Sequence, residues 1–385
     1  MAKARSGSTV KKGLKFFLYG KEGSRKSSFA LDFMKMYNEA GRPLRVFYLD
    51  TEFGSIDNYL GELEAEGVDL ANLFIVYGNT YEEAEEWLGK AISDEDIYYD
   101  DEDGEEVLAL DADGEPFRAD AIIVDSITPI LDTVKYGMIK TSEKRARLKT
   151  KKKEGTNATD VFVAEATAGM EFKDYDKLQA KGKNLLRSLI TRTNKYVCVI
   201  AREKDKKEQV KDGSNFKSVK IGVMPDAPKD AAYEFFTVIH MIEDEETLDI
   251  TGQIERKDRT LTFQRGEIME NPSPILWQSV ITGNKGKKEV QTNNKDYEEI
   301  VVDQAKAMYG GRAPDEKSKK SNTKEDTPVD EKSLAETFEN IRSGLSPSKK
   351  QGLSAQLSKA KLPKITKNIV DIEVLTKMVE VANKM

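Results

Sequence analysis

The 385-residue sequence has a single cysteine and a single histidine. One thiol, Cys198, excludes a disulfide within the chain, and one imidazole, His240, removes the side chain on which most zinc sites are built. Both stand inside apolar runs, "KYVCVIA" and "FFTVIHMI", where core residues are expected. No run reaches the roughly 18 apolar residues that a membrane-spanning helix requires, so no membrane partner is expected. The opening "MAKARSGSTVKK" has no apolar stretch behind its basic residues. An export signal is therefore not expected, and the expected setting is cytoplasmic.

The formal net charge is −7, which argues against a protein that coats nucleic acid over its whole surface. The charge is nevertheless segregated. Acid gathers in residues 93–120, and base gathers in "KTSEKRARLKTKKK" (140–153) and between Lys204 and Lys220. A local basic groove is compatible with that pattern.

Short apolar runs alternate with stretches of helical spacing. "LKFFLY" reads as a buried strand, and the apolar residues Phe29, Ala30, Phe33, Met34 and Tyr37 fall on one helix face that Gly41 and Pro43 end. "LRVFYLDTE", "LFIVYG", "ADAIIVDS" and "KYVCVIA" read as further strands. Thr80 and Glu83 form a capping box at the start of another helix. This alternation predicts an α/β fold, a mostly parallel sheet flanked by helices.

The expected domain organisation is a flexible basic arm over 1–12, a main domain over 13–309, a linker over 310–328 and a small helical domain over 329–385. Within the main domain an acidic β insertion is expected at about 93–118 and a basic loop at about 136–168. Short β runs from Phe235 to about Ile281, including "RTLTFQR", are expected to extend the sheet with antiparallel strands.

The chemistry is concentrated in "YGKEGSRKSSFA". A strand, a glycine-rich turn and a helix beginning Lys-Ser form the phosphate-loop pattern G-x-x-x-x-G-K-S/T, in which inward N–H groups and a helix N-terminus hold an anion. Gly20, Gly23, Ser24, Arg25, Lys26, Ser27 and Ser28 are the candidate phosphate contacts, with Lys26 neutralising the terminal phosphates. Arg25 stands where the pattern has its second glycine. It is expected to restrict the turn or shift strain to Gly23, with its side chain pointing outward. Ser27 and Asp125, at the end of "AIIVD", are the candidate Mg²⁺ ligands. Glu52, just past the strand "VFYLD", is placed to polarise an attacking water.

In this order the parts resemble the RecA-like P-loop ATPases over about residues 13–245, with the acidic insertion left out. "YLDTE" looks like that family's strand ending in Asp-x-Glu, "ADAIIVDSITPI" like its Walker B strand, and "KYVCVIAREK" takes the place of its γ-phosphate-sensing strand. The resemblance implies a RecA-like core, ATP and Mg²⁺ as cofactors, Glu52 as catalytic base, and Arg202 or Glu203 as sensor. It points to the shorter phage-encoded members that act in homologous recombination, single-strand annealing or repair, hence to the cytoplasm of a host cell. It also implies a homo-oligomer, ring or filament, and two DNA-facing loops. Those segments coincide with the basic runs, so Lys144, Arg145, Arg147, Lys151, Lys152, Lys204, Lys206, Lys207, Lys211 and Phe216 are the candidate contacts to single-stranded DNA. Two other readings compete. One is a nucleotide-gated module resembling a helicase loader, holding a protein partner through 329–385; the other is a small-molecule or nucleotide kinase.

Overall fold

The computed structural model describes residues 11–287 except 102, 154, 213 and 214, together with Arg342, Leu353 and Leu357. The chain divides into two units, 1–305 and 306–385. In the second, Leu353 and Leu357, four apart on a helix, are buried. Residues 1–10 of the arm expected over 1–12, the linker and most of 329–385 lie outside the described residues.

The first unit is an α/β structure. In chain order it contains β1 (Lys15–Gly20), α1 (Lys26–Leu31), β2 (Val46–Asp50), α2 (Asp57–Ala65), β3 (Leu73–Tyr77), α3 (Tyr81–Ser93), β4 (Tyr98–Asp100), β5 (Glu106–Leu108) and β6 (Ala121–Asp125). There follow α4 (Ile127–Lys151), α5 (Ala158–Ala166), α6 (Phe172–Thr191), β7 (Tyr196–Asp212), β8 (Asn215–Pro225), α7 (Ala231–Glu234), β9 (Thr237–Glu243), β10 (Ile250–Asp258), β11 (Ile268–Glu270) and α8 (Gln278–Thr282). The main sheet runs β11-β10-β9-β1-β7-β6-β2-β3. From β9 to β3 all neighbours are parallel, and β10 and β11 extend the sheet antiparallel.

The alternation of side chains along β1 builds both cores. Phe16 and Leu18 face one layer, with Phe29, Phe33 and Trp277; Phe17 and Tyr19 face the other, with α3, α4 and α6. Phe16 meets Trp277 edge-on at 4.8 Å and Phe29 at 5.7 Å. Each such buried ring contributes about 1.5–3 kcal/mol. β1 thus leaves its core rigidly placed, and the turn that follows it inherits that position.

The Thr80 capping box is present, with both reciprocal hydrogen bonds. The acidic insertion is a small meander, β4 with β5 and a Leu110–Pro116 bridge. Five expectations need correction. The basic segment expected as a loop at 136–168 is helix: α4 runs to Lys151, and α5 follows. Lysine, arginine, alanine and leucine are strong helix formers, and cations suit a helix C-terminus. The second basic run is likewise no loop, because β7 continues through it and pairs antiparallel with β8 as a long hairpin arm. β9 belongs to the parallel part of the sheet, beside β1. "RTLTFQR" is a turn rather than a strand, because the Asp258 carboxylate accepts from the N–H groups of Thr260, Thr262 and Phe263 and draws the chain around itself. The helix after the phosphate loop is also shorter than its apolar spacing suggests: α1 ends at Leu31, and a 3₁₀ turn, Asp32–Lys35, completes it.

At the opposite, amino-terminal edge of the sheet, Lys15 is buried and its ammonium donates to the carbonyls of Leu189, Thr193 and Lys195 at 3.0, 3.1 and 2.7 Å. These are carbonyls at and beyond the end of α6, left open by helix geometry. Burial, with Lys195 beside it, draws the Lys15 pKa down from 10.5 to about 7. The unfolded chain therefore binds more protons between those two values, and stability must rise with pH across that window. Lys15→Met is expected to remove that slope from the pH dependence of urea unfolding measured between pH 7 and 10.

Candidate active site

The parallel strands deliver their carboxyl ends to one edge, where a cavity of about 700 Å³ opens. Gly20, Lys21, Gly23, Arg25, Lys26 and Ser27 line it from the loop after β1. Glu52 comes from the end of β2, Asp125 and Ser126 from the end of β6, and Arg202 and Glu203 from β7.

Gly20 is obligatory for packing: a Cβ there would lie 2.3 Å from the Met241 carbonyl oxygen on β9. Gly23 and Arg25 both take the left-handed conformation, with φ of 82° and 55°. The arginine has not displaced the turn; it occupies the backbone state a glycine would take, with its side chain exposed at the cavity rim. That state costs an L-residue about 1–2 kcal/mol, against the roughly 0.4–1 kcal/mol of extra unfolded-state entropy that glycine carries. Arg25→Gly is therefore expected to stabilise the protein by about 0.5–1 kcal/mol in urea unfolding and to leave nucleotide binding in place.

The Lys26 ammonium lies across the loop, donating to the Lys21 carbonyl at 2.5 Å and to Ser24 Oγ at 3.3 Å. Ser24 is itself buried and donates to the same carbonyl at 2.8 Å, so the turn is closed from within. Burial holds the Lys26 pKa below its ordinary value, against the pull of Asp125, Glu52 and Glu203. Ser28, expected as a further phosphate contact, is part-buried in the first turn of α1 and is not among the residues lining the cavity.

Ser27 Oγ donates to Asp125 Oδ2 at 2.5 Å, and the Tyr48 hydroxyl donates to the same oxygen at 2.6 Å. Burial raises the Asp125 pKa, and these two hydrogen bonds oppose the rise. A hydroxyl and a carboxylate touching beside a phosphate-type cavity are hard oxygen donors that suit Mg²⁺, an ion held by one or two protein oxygens and completed by phosphate and water. Among the described residues there is no cluster of three or more acidic, histidine or cysteine side chains able to hold a metal unaided.

Glu52 Oε1 accepts from Arg202 Nε at 3.0 Å, Arg202 Nη2 at 2.8 Å and Ser126 Oγ at 3.3 Å. Its loop is shaped by Asp50, which is buried and accepts from the N–H groups of Glu52, Gly54 and Ser55 at 2.8, 2.8 and 3.2 Å. Thr51 stitches this loop to β6 by exchanging two hydrogen bonds with the backbone of Ser126. Glu203 meets His240 Nε2 at 3.0 Å, and Tyr19 stacks on the imidazole at 4.5 Å. Cys198 is buried as expected. His240 is not a plain core residue, for its ring faces a carboxylate.

Tyr48, Asp50, Thr51, Tyr59, Ser126 and His240 therefore belong to the site or its support; of these the sequence had marked His240 only as a core residue and Asp50 only as the strand-end acid before Glu52. Asp50 alone carried a signal, as the first acid of "LDTE". Tyr48, Thr51 and His240 act through contacts between strands far apart in the chain.

Of the remaining candidates, Lys144, Arg147 and Lys151 are exposed on the second half of α4, and Lys152 is exposed just past its end. Tyr136, Lys140, Lys144, Arg147 and Lys151 follow one another at spacings of three or four residues, a single stripe along the helix. Arg145 points elsewhere, pairing with Asp174 at 2.5 Å and Glu171 at 3.3 Å, and so ties α4 to α6. Lys204 pairs with Asp226 at 2.7 Å. Lys206, Lys207 and Lys211 are exposed on β7, and Phe216, 71% exposed, stands opposite Lys211 on β8.

No protein-family model matches the chain, and no curated protein matches it. Among solved structures it is similar to the RadB recombinase, at 16% identity over 66% of this chain and 85% of that one, with a TM-score of 0.35. It is also similar to a KaiC-like protein from the hyperthermophilic archaeon Pyrococcus horikoshii, at 12% identity over 68% and 92%, with a TM-score of 0.33. Superpositions this loose decide nothing by themselves.

Proposed function

We propose that the chain is a RecA-like ATPase that binds and hydrolyses ATP with Mg²⁺ and binds single-stranded DNA. Its setting would be homologous recombination, strand annealing or repair of the phage type, as a homo-oligomer. The observation that carries this reading is the single cavity at the sheet edge, into which four different strands bring a phosphate loop, a Ser–Asp pair, a carboxylate and an arginine.

The division of labour follows from charge and position. Loop amides and Lys26 take the negative charge of the phosphates, and the start of α1 adds its dipole. Ser27 and Asp125 would hold Mg²⁺, which would supply neutralisation of the phosphate charge. Glu52, carried on the loop that Asp50 shapes, orients and polarises the attacking water. Tyr59 also lines this cavity, and adenine over guanine rests on the family resemblance.

The DNA reading is supported by two cationic tracks in place of two loops. The α4 stripe offers a cation at each turn, and the β7–β8 arm offers lysines with Phe216 as a stacking ring. The test is the rate of ATP hydrolysis with and without single-stranded DNA, across a salt series. Stimulation that weakens with salt is expected. Hydrolysis unchanged by DNA, with no salt-sensitive binding, would leave the ATPase without its proposed partner and favour the nucleotide-gated protein-docking module.

A further inference from the structure

We propose that Arg202 is a positioning residue that restrains Glu52 until a nucleoside triphosphate arrives, so that their ion pair discriminates triphosphate from diphosphate. The inference rests on the nucleotide-site reading above and concerns what the two side chains do before and after binding.

Three observations carry it. First, both Arg202 nitrogens and the Ser126 hydroxyl converge on one oxygen, Glu52 Oε1. These contacts hold the carboxylate in one orientation and draw its charge toward the guanidinium, which lowers its power to polarise a water through either oxygen. Second, Arg202 is fixed at its root and free at its tip. Its backbone N–H donates to Thr128 Oγ1 at 3.0 Å, and in the ladder it stands beside Gly20, at the threshold of the phosphate loop. Its side chain is 56% exposed, so the guanidinium can turn. Third, the neighbouring acid is already engaged: Glu203 is held by His240, which Tyr19 supports from below. Glu52 is the Arg202 partner that a new anion in the cavity would have to displace.

A terminal phosphate entering this cavity competes with Glu52 for one guanidinium. Arg202 turning to the phosphate releases Glu52 to meet the water, so the group that recognises the substrate also frees the group that polarises its attacker. A diphosphate, one phosphoryl group shorter, leaves the pair closed. The pair therefore opposes triphosphate binding and is indifferent to diphosphate.

The test is calorimetric titration of a non-hydrolysable ATP analogue and of ADP into wild type, Glu52→Gln, Arg202→Gln and the double variant. Glu52→Gln keeps the side-chain shape and weakens the pair, so it should tighten analogue binding by about fivefold, the scale of a half-exposed ion pair, with ADP unchanged. Arg202→Gln should bring analogue affinity down toward that for ADP. In the Arg202→Gln background the gain from Glu52→Gln should vanish. Arg202→Lys, which keeps the charge without the two-nitrogen contact, should give an intermediate gain, and melting curves confirm that each variant folds. The inference is overturned if Glu52→Gln leaves analogue affinity unchanged. It is equally overturned if the gain persists without Arg202 or extends to ADP, since simple removal of a negative charge would then explain it. Wild type that binds neither nucleotide would remove the nucleotide-site reading itself, a distinct result.

Discussion

Lys26→Ala is expected to reduce ATP hydrolysis by about 10²–10³-fold or more while leaving the folded protein as stable as before, a split that separates a functional cation from a structural one. The loss follows from the geometry of the loop. Lys26 carries the ammonium inside the cavity, and the backbone amides supply only partial charges to offset the phosphates. The retained stability follows from what the ammonium touches in the free protein. Its partners are the Lys21 carbonyl and the Ser24 hydroxyl, and Ser24 already donates to that carbonyl, so the turn stays closed without the lysine. Burial also disfavours the ammonium in the absence of an anion, since it holds the pKa down. Removing it relieves that penalty. Steady-state hydrolysis and urea unfolding on the same preparation check both halves, and a variant that loses activity and stability together would show that the lysine holds the loop rather than the nucleotide.

The tight turn after β1 was readable from spacing despite the arginine because its physical requirement is a backbone state, not a residue type. Arg25 meets that requirement at a cost, and the surrounding strand and helix give the position away. The buried strands were readable for a similar reason. A strand covered on both faces must be apolar along its covered stretch, as "FFLY" and "AIIV" are. The basic segments were misjudged because charge density says that a surface is wet and nothing about its backbone. The helical spacing of Tyr136, Lys140, Lys144, Arg147 and Lys151 was present in the sequence, but lysines mark no core face, so the period had no apolar stripe to expose it. Tyr48, Thr51 and His240 were beyond reach for another reason. Each acts on a residue whose proximity is created by sheet order: β2 lies beside β6, and β1 lies between β7 and β9, although the chain visits them far apart.

Asp258 shows how far such a tertiary contact can reach. It is buried, and its carboxylate accepts from Thr237 Oγ1 at 2.9 Å, from the N–H groups of Thr260, Thr262 and Phe263 at 2.9, 3.0 and 3.2 Å, and from Trp277 Nε1 at 2.9 Å. Three parts of the first unit meet on one side chain: the start of β9, the turn after β10, and the indole that packs against Phe16 on β1. Asp258→Ala leaves buried donors without an acceptor, each costing about 1–3 kcal/mol before relaxation. Water reaching the part-buried turn satisfies some of them, and an overall loss of about 3–5 kcal/mol is expected, a large share of a typical domain's stability. The loss should reach the nucleotide site, because Trp277 supports the strand from which the phosphate loop departs. Asp258→Asn, which keeps the shape and one strong acceptor, should lose clearly less. The pH dependence has a definite sign. Against burial, the hydrogen bonds from Thr260, Trp277 and Thr237 hold the Asp258 carboxyl below 3.8. Its contribution is therefore complete above that value and is lost as the pH falls below it through the folded-state value. Urea unfolding of wild type and both variants at neutral pH, and acid titration of the wild type, measure these outcomes. Equal stability of the alanine variant and the wild type would mean that the turn at 259–265 closes without its acceptor.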